Sequence, residues 1–395
     1  MQVSGRDIQA DFLSENPMNP FLKNAVPGVQ ALHPYQPGKP VEALERELGI
    51  CNAIKLASNE NPLGPSTYAM KAAQAVIADI NYYPDGAGHN LSAALAEKHQ
   101  VDLSCITLGN GSNDILELIG RAFLAPGNSA VYSEYSFAVY PLVVQATGAQ
   151  ARVSRAYPAD HLQMPYGHDL SAVLDLIDHS TRVVFIANPN NPTGTWFVPD
   201  ELSAFLAKVD SDVVVVLDEA YYEYMPEELK PDSKTLLKKY KNLVITRTFS
   251  KIYGLAGLRI GYSVSHPNIA DILNRVRQPF NTSMPAQAAA LAAIDDQAHV
   301  ANSVKLNTLG LKQYMAAFES QGLEYIPSIA NFIAVDLKCE AMPVYDQLLR
   351  EGVIVRPVAS YNMPEHLRIT IGAQSQNERV LNVLAKILKS AATDD

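Results

Sequence analysis

The sequence predicts an α/β protein with a large, mainly parallel sheet domain and a second, smaller α+β domain. From residue 106 onward, short apolar runs alternate with amphipathic helical patterns, which is the order typical of a parallel sheet. After residue 285 the order changes to long helices followed by short strands. A chain of 395 residues also exceeds one ordinary compact domain. We expect an N-terminal arm with part of the small domain (1–60), a large domain (61–285) and a small C-terminal domain (286–395).

Charge and composition exclude several classes of function. The chain has 31 basic and 41 acidic residues, a net charge of −10, which disfavours nucleic acid as a partner. Its three cysteines are far apart and its nine histidines form no HExxH pair, so we expect neither a disulfide framework nor a metal site. With no signal-peptide pattern and no apolar run of about 18 residues, we expect a cytoplasmic protein with no membrane partner.

The first sixty residues are predicted to form an irregular arm followed by a short helix. Prolines at positions 17, 20, 27, 34, 37 and 40 break any regular element. The stretch from His33 to Gly38 is a plain turn on local sequence alone. A helical pattern covers Val41 to Leu48, and the strand end after Lys55 runs into a turn that reaches Pro65.

A glycine turn follows the first apolar run of the large domain. The run Ile106–Leu108 leads into GNGSND at 109–114, and a helix with core spacing follows until Pro126. Such a turn exposes backbone N–H groups at the positive end of a helix dipole, where a phosphate can bind. The motif lacks the third glycine of GxGxxG and the Lys-Ser/Thr of a P-loop, so an ordinary capped helix remains an equal alternative.

The next two apolar runs end in polar motifs. The run 183–187 ends in NPNNPTG at 188–194, and the run 213–217 ends in DEAY at 218–221. Strands that are apolar on both faces are typical of the middle of a parallel sheet. Ligands of open α/β sheets bind at the carboxyl ends of the strands. We therefore expect Asn191 and Asp218 at one edge of the sheet.

The stretch from Asn242 to Tyr262 places a lysine among groups that bind anions. An apolar run leads into Thr248, Ser250 and Lys251, and a glycine-rich turn precedes Arg259. Hydroxyl groups and a guanidinium around one lysine suit an anion held beside an amine. We predict that Lys251 forms a Schiff base with pyridoxal 5'-phosphate (PLP), and that an antiparallel strand follows at 259–265.

PLP chemistry requires several further groups, and the chain offers a candidate for each. Lys251 would also move a proton at the substrate Cα, and Asp218 would keep the pyridine nitrogen protonated. The remaining candidates are Asn191 and Tyr221 for the ring oxygen, Tyr135 for the ring face, and Thr248, Ser250, Arg259, Ser112 and Asn113 for the phosphate.

Nine motifs in order resemble the fold-type I, aspartate aminotransferase-like PLP enzymes over nearly the whole chain. They are PYQPGKP (34–40), ASNENPLGP (57–65), YPDG (83–86), GNGSND (109–114), NPNNPTG (188–194), DEAY (218–221), TFSKIYGLAGLRIG (248–261), VRPV (355–358) and LRITIG (367–372). PYQPGKP, SNENPLGP and LRITIG are similar to the histidinol-phosphate aminotransferase branch. The chain departs from the family pattern at Tyr82, where arginine is frequent, and at Asn113-Asp114, where Asp-Glu is common.

The resemblance implies the same roles for the residues assigned above and adds four more. Tyr83 resembles the tyrosine that reaches the cofactor phosphate of the partner subunit, which implies a homodimer with shared active sites. Arg368 resembles the arginine that binds the substrate carboxylate, with Arg356 and Tyr35 nearby.

The activity implied is ping-pong transfer, through the Schiff base on Lys251, of an amino group from histidinol phosphate to 2-oxoglutarate. The products would be imidazole-acetol phosphate and glutamate, a step of histidine biosynthesis. One arginine site must then accept a phosphate ester and a carboxylate in turn, and Arg356 paired with Arg368 could do so. The alternative for Arg356 is a surface ion pair, which contributes little to stability.

Other activities share this scaffold. An aromatic amino acid aminotransferase and a phosphothreonine-type PLP decarboxylase remain alternatives, because fold does not determine substrate. A non-catalytic PLP-binding regulatory module is more remote, since such proteins usually carry a DNA-binding domain and the proline-broken arm is too short to be one.

Overall fold

A computed structural model describes residues 19–34 and 38–391, so the predicted substrate residue Tyr35 lies outside the described residues. The strands are β1 (Ile54–Lys55), β2 (Ile106–Gly109), β3 (Ser129–Ser133), β4 (Gln150–Ser154), β5 (Thr181–Ala187), β6 (Val214–Asp218), β7 (Leu243–Thr248), β8 (Gly261–Ser265), β9 (Glu324–Ile326), β10 (Phe332–Asp336), β11 (Val353–Ile354), β12 (Arg356–Val358) and β13 (Met363–Thr370).

The helices between these strands cover the sheets and join the domains. They are α1 (Pro27–Gln30), α2 (Val41–Leu48), α3 (Thr67–Ala75), α4 (His89–His99), α5 (Ser112–Phe123), α6 (Val139–Thr147), α7 (Leu170–Asp175), α8 (Pro199–Leu206), α9 (Ser233–Lys239), α10 (Pro267–Val276), α11 (Met284–Asp295), α12 (Gln297–Gln321), α13 (Ala341–Arg350) and α14 (Gln374–Ala391). None of these described helices is long and apolar enough to cross a bilayer.

The larger sheet has seven strands in the order β2-β8-β7-β6-β5-β3-β4. Strands β3 to β7 pair in parallel, and β8 pairs antiparallel with both β2 and β7, which confirms the predicted antiparallel strand. The register places Ala187 opposite Asp218, and Asp218 opposite Thr246. The carboxyl ends of β5, β6 and β7 therefore meet at one edge, and the predicted α/β fold is confirmed.

Strand β6 shows why the central runs of the sequence are apolar without alternation. Val214 and Val216 pack into the core on one face of the sheet, beside side chains of α5 and α6. Val215 and Leu217 pack into the core on the other face, beside side chains of α7 and α8. Both faces of the sheet are covered, so every position of β6 is buried.

The smaller domain contains a four-stranded antiparallel sheet in the order β12-β13-β10-β9. Its core unites this sheet with α13, α14 and the second half of α12. Strand β1 pairs in parallel with β11, which ties the segment before residue 60 to the smaller domain.

The larger domain extends beyond the predicted boundary at residue 285. Helix α11 packs against α3, and its buried alanines, such as Ala286 and Ala293, belong to the core of the larger domain. Tyr314 and Phe318, in the second half of α12, belong to the core of the smaller domain. The sequence placed the change at the alanine-rich segment because its composition changes there, whereas the packing changes about one helix later.

Candidate active site

A cavity of about 250 Å³ lies at the carboxyl edge of the larger sheet, where the smaller domain packs against it. Eleven of the fourteen predicted site residues line it: Ser112, Asn113, Asn191, Asp218, Tyr221, Thr248, Ser250, Lys251, Arg259, Arg356 and Arg368. The structure therefore brings together residues that are up to 256 positions apart in the chain (112 to 368). Tyr83 and Tyr135 lie elsewhere.

Lys251 lies just after β7 and points into this cavity. Its Nζ donates a hydrogen bond to the carbonyl oxygen of Ser58 at 3.1 Å. Burial, together with the positive charge of Arg368, lowers the pKa of Lys251 to about 8. An amine with such a pKa is partly neutral near pH 7 and can attack a carbonyl carbon.

Asp218, the last residue of β6, is a buried carboxyl group held by two hydroxyl groups. Tyr140 donates to its Oδ2 at 2.9 Å, and Thr246 donates to its Oδ1 at 3.0 Å. Burial raises the pKa of Asp218, while these hydrogen bonds lower it. Sequence reasoning missed both hydroxyl donors. Thr246 had a signal, since it lies two positions before Thr248 on β7 and alternate residues of a strand share a face.

An anion cradle forms where the start of α5 meets Arg259. A Cβ atom added at Gly111, where φ is +84°, would lie 2.4 Å from Nη2 of Arg259. One added at Gly261 would lie 2.5 Å from the backbone nitrogen of Ser112. Arg259 also donates to Oγ of Ser250 at 3.3 Å. The glycines let a guanidinium, a hydroxyl and the N-terminus of a helix converge, as a phosphate site requires.

The structure places Phe137, not the predicted Tyr135, in the wall of the cavity. The ring of Tyr135 meets Tyr166 edge to face at 5.1 Å and packs against the smaller domain. Phe137 meets Tyr140 edge to face at 5.9 Å. The spacing of three residues between Phe137 and Tyr140 places both on one side of a helical turn, a signal that sequence reasoning overlooked.

Asn191 and Tyr221 are each bonded to a group from another part of the chain. Asn191 Oδ1 accepts a hydrogen bond from Arg368, which also donates to the carbonyl oxygen of Ala57 at 2.8 Å. Tyr221 Oη accepts a hydrogen bond from Nδ2 of Asn59 at 2.8 Å. Asn59 was not predicted as a site residue, although it lies in the ASNENPLGP motif.

Two arginines are paired on adjacent strands of the smaller sheet. In the antiparallel pairing of β12 with β13, Arg356 lies directly opposite Arg368, and both line the cavity. Like charges in directly opposed positions repel, so the pair is suited to an anion that binds between them.

Tyr83 lies outside the cavity, is 79% exposed and stacks on Phe280 at 4.6 Å.

Together these groups match the chemistry of PLP. A lysine with a lowered pKa can hold its aldehyde carbon, a buried carboxyl group its ring nitrogen, and the cradle its phosphate. Throughout the described ranges, no group of three or more His, Cys, Asp or Glu residues is placed to hold a metal ion.

Comparison with known proteins gives a consistent family. The family model "Aminotransferase class I and II" matches residues 52–387. Histidinol-phosphate aminotransferase 2 of Pseudomonas fluorescens Pf-5 is 58% identical over 94% of this chain and 99% of the relative. Histidinol-phosphate aminotransferase 1 of Nitrosococcus oceani is 52% identical over 93% of this chain and 98% of the relative.

Solved structures agree with this result. The histidinol-phosphate aminotransferase of Sinorhizobium meliloti in complex with PLP superposes with a TM-score of 0.83 and 28% identity, covering 93% of this chain and 98% of the other. A variant of Thermus thermophilus aspartate aminotransferase has a TM-score of 0.79 at 21% identity, over 91% and 98% of the two chains, which shows a shared fold.

Proposed function

The chain belongs to the aminotransferase class I and II family, and we propose that it uses PLP to transfer the amino group of histidinol phosphate to 2-oxoglutarate. The products would be imidazole-acetol phosphate and glutamate, as in a step of histidine biosynthesis. The relatives at 52–58% identity that carry the name histidinol-phosphate aminotransferase support this substrate.

The single observation that carries the proposal is the pairing of Arg356 with Arg368 in the cavity wall. Two guanidinium groups suit the doubly charged phosphate ester of histidinol phosphate. The same pair can accept the carboxylate of glutamate, because guanidinium matches both anions with parallel N–H groups. An enzyme that alternates between these substrates needs such a site.

PLP, when bound, supplies a pyridine ring that withdraws electrons from the substrate Cα. We propose that Lys251 Nζ would take the proton from that carbon and deliver it to the former aldehyde carbon of the cofactor, and that Asp218 would hold a proton on the ring nitrogen. Phe137 would cover one face of the ring. Its placement in the cavity wall supports this role over the predicted Tyr135.

The other predicted residues would hold the periphery of the cofactor and the substrate. Asn191 and Tyr221 would donate to the ring oxygen, and Arg368 would orient the anionic group of the substrate. The phosphate ligands would be Ser112, Asn113, Thr248, Ser250 and Arg259, which converge at the start of α5.

We also propose a cytoplasmic homodimer in which Tyr83 contacts the cofactor phosphate of the other subunit. The 79% exposure of Tyr83, together with the exposed side chains of Ile80 and Tyr82, supports a partner surface here. Sedimentation of the PLP-bound protein should give twice the mass of one chain, and a monomer at working concentrations would contradict the proposal.

An amino-transfer assay tests the function. Wild-type protein with PLP, histidinol phosphate and 2-oxoglutarate should form glutamate, and borohydride should trap the cofactor on Lys251. Lys251→Ala should abolish both results, because Lys251 is the one lysine among the described residues that line the cavity. Lys234→Ala is the matched control, since Lys234 is exposed and outside the cavity, and it should keep both. Glutamate formation by Lys251→Ala would contradict the assignment.

A further inference from the structure

Asn59 is a buried residue between the two domains that the proposed mechanism does not use. It is 1% exposed, and its backbone has a left-handed φ of +57°. The carbonyl oxygen of the preceding residue, Ser58, accepts the hydrogen bond from Lys251 Nζ. Asn59 therefore has an unusual backbone conformation directly beside the residue that contacts the reactive lysine. Its amide side chain cannot take up or release a proton in the reaction, so its role must be a different one.

The smaller domain fixes the position of the Asn59 side chain. The backbone N–H of Asn59 donates to Oγ1 of Thr370 at 2.9 Å. The hydroxyl group of Thr370 in turn lies 3.1 Å from Oδ1 of Asn59 and donates to it. Asn331 donates to the backbone carbonyl oxygen of Asn59 at 2.9 Å.

These bonds give the amide a direction. Since Oδ1 accepts from Thr370, the Nδ2 group is left facing Tyr221, and it donates to the phenol oxygen at 2.8 Å. The phenol oxygen is thus an acceptor towards Asn59, and its own hydrogen must point elsewhere. Tyr221 lines the cavity, so the hydroxyl hydrogen is available to a group bound there.

Tyr221 keeps that hydrogen at physiological pH. Burial raises the pKa of Tyr221 to about 12, although Arg368 and the hydrogen bond from Asn59 oppose the rise. A neutral phenol that already accepts one hydrogen bond acts as a donor in its remaining direction. Each member of the network therefore donates to the next: Thr370 donates to Asn59, and Asn59 donates to Tyr221 at the cavity wall.

We propose that Asn59 is a positioning residue that orients the hydroxyl group of Tyr221 as a hydrogen-bond donor towards the ring oxygen of PLP. The inference rests on the proposed function, which places this oxygen beside Tyr221. Asn59 itself lines the cavity, and we propose that it acts through the phenol.

The test is the pH midpoint of the absorbance change of PLP bound to Lys251. When donation from Tyr221 weakens, the ring oxygen becomes more basic and holds the proton of Lys251 Nζ more strongly. Asn59→Gly keeps the left-handed backbone, because glycine adopts this φ at little cost, but it removes the amide. We expect its midpoint to rise by roughly half a pH unit to one unit, the size of one ordinary net hydrogen bond.

Asn59→Asp gives a second reading of the same contact. Its carboxylate can still accept from Thr370, but it also accepts from Tyr221 and so turns the phenol hydrogen away from the cavity. We expect a rise in the midpoint that approaches the rise in Tyr221→Phe. If Asn59→Gly failed to fold, this near-isosteric variant would decide the question in combination with Tyr221→Phe, because a shift caused only by the charge of the new carboxylate would persist without the phenol.

A double variant separates positioning from general damage. Because Asn59 acts through the phenol, Asn59→Gly should cause no further shift when Tyr221→Phe is already present. Asn362→Gly is the control, since Asn362 is an exposed asparagine with a similar φ of +59° outside the cavity, and it should leave the midpoint unchanged.

Two results would overturn the inference: an unshifted midpoint in Asn59→Gly and Asn59→Asp, or a shift by Asn59→Gly that persists when Tyr221→Phe is present. Either result, with a normal PLP titration of the wild-type protein, would leave the proposed function intact. If the wild-type protein itself failed to bind PLP, the proposed function would fall first, and the inference with it.

Discussion

At the scale of single residues, the site depends on ionisable groups whose burial sets their charge. Burial and the charge of Arg368 lower the pKa of Lys251, while burial raises the pKa of Asp218 although two hydroxyl donors oppose the rise. The pKa of the lysine is lowered and that of the aspartate is raised, so both shifts favour the uncharged form of the group. Such a pair is typical of a functional site.

The lowered pKa of Lys251 predicts how fast the cofactor-free protein binds PLP. Only the neutral amine attacks the aldehyde, so the rate of covalent attachment should rise with pH and level off above a midpoint near 8. Stopped-flow absorbance would follow the reaction, with N-α-acetyl-lysine as the reference amine. A rate that still increased between pH 9 and the ordinary lysine pKa of 10.5 would show that burial does not shift this group.

The residue roles could be predicted unevenly from sequence. Some roles follow from motifs in which the residue types themselves indicate the chemistry. These residues are Lys251, Asp218 and Arg259, and all three line the cavity. Asn59 was missed because its partner Thr370 is 311 positions away, and no local pattern reveals such a contact. Tyr135 was predicted and Phe137 was overlooked, because aromatic residue type alone does not indicate which side of a turn faces the cavity.

At the scale of elements, the decisive feature is the close approach between the β2–α5 turn and strand β8. Sequence reasoning left this turn undecided between a phosphate site and an ordinary capped helix. The structure brings Arg259 and Gly261 against it, and the spaces at Gly111 and Gly261 are too small for a side chain. The long-range contact therefore favours the phosphate role, and a local motif could not have shown it.

Replacement of Gly111 by alanine should distinguish the effect of backbone strain from the effect of losing the anion cradle around Arg259. Gly111→Ala and Gly127→Ala both place alanine at a positive φ, +84° and +95°, which should lower the free energy of unfolding by at least about 1 kcal/mol in each. The loss should be larger at Gly111, where ψ is 167°, because this combination is almost confined to glycine. The Cβ atom at Gly127 meets nothing within 4 Å, whereas that at Gly111 displaces the guanidinium of Arg259.

We therefore expect a larger loss of stability in Gly111→Ala than in Gly127→Ala, and different cofactor affinities at a temperature where both variants are folded. Gly111→Ala should weaken PLP binding at least about tenfold, the effect of one charge-assisted hydrogen bond, while Gly127→Ala should bind PLP normally. Equal PLP dissociation constants for the two variants would show that the turn does not hold the phosphate.

At the scale of the whole molecule, the cavity exists because two domains meet at the carboxyl edge of one sheet. The sequence predicted the parallel sheet and the residues at its edge, since apolar runs and their polar ends are local signals. The predicted boundary at residue 285 follows the change in composition at α11, while the packing changes within α12. The opposition of Arg356 and Arg368 is a matter of strand register, which motifs suggested but could not establish.

We expect the pair Arg356 and Arg368 to determine the preference for a phosphorylated substrate. Arg356→Met removes one guanidinium and keeps an unbranched side chain, so it should slow the reaction with histidinol phosphate about tenfold to a hundredfold. It should change the slower reaction with phenylalanine much less, because a carboxylate carries less charge and Arg368 remains. Holding both substrates to one protein preparation controls for cofactor content.

The most direct test of the whole account is the half-reaction of the PLP-bound protein with single amino donors. Histidinol phosphate, histidinol, phenylalanine and tyrosine would be mixed in turn with the wild-type protein while the cofactor absorbance is followed. We expect the highest kcat/KM for histidinol phosphate, and a kcat/KM for histidinol that is lower by about a hundredfold or more because histidinol lacks the phosphate. Faster reaction with phenylalanine or tyrosine than with histidinol phosphate would contradict it.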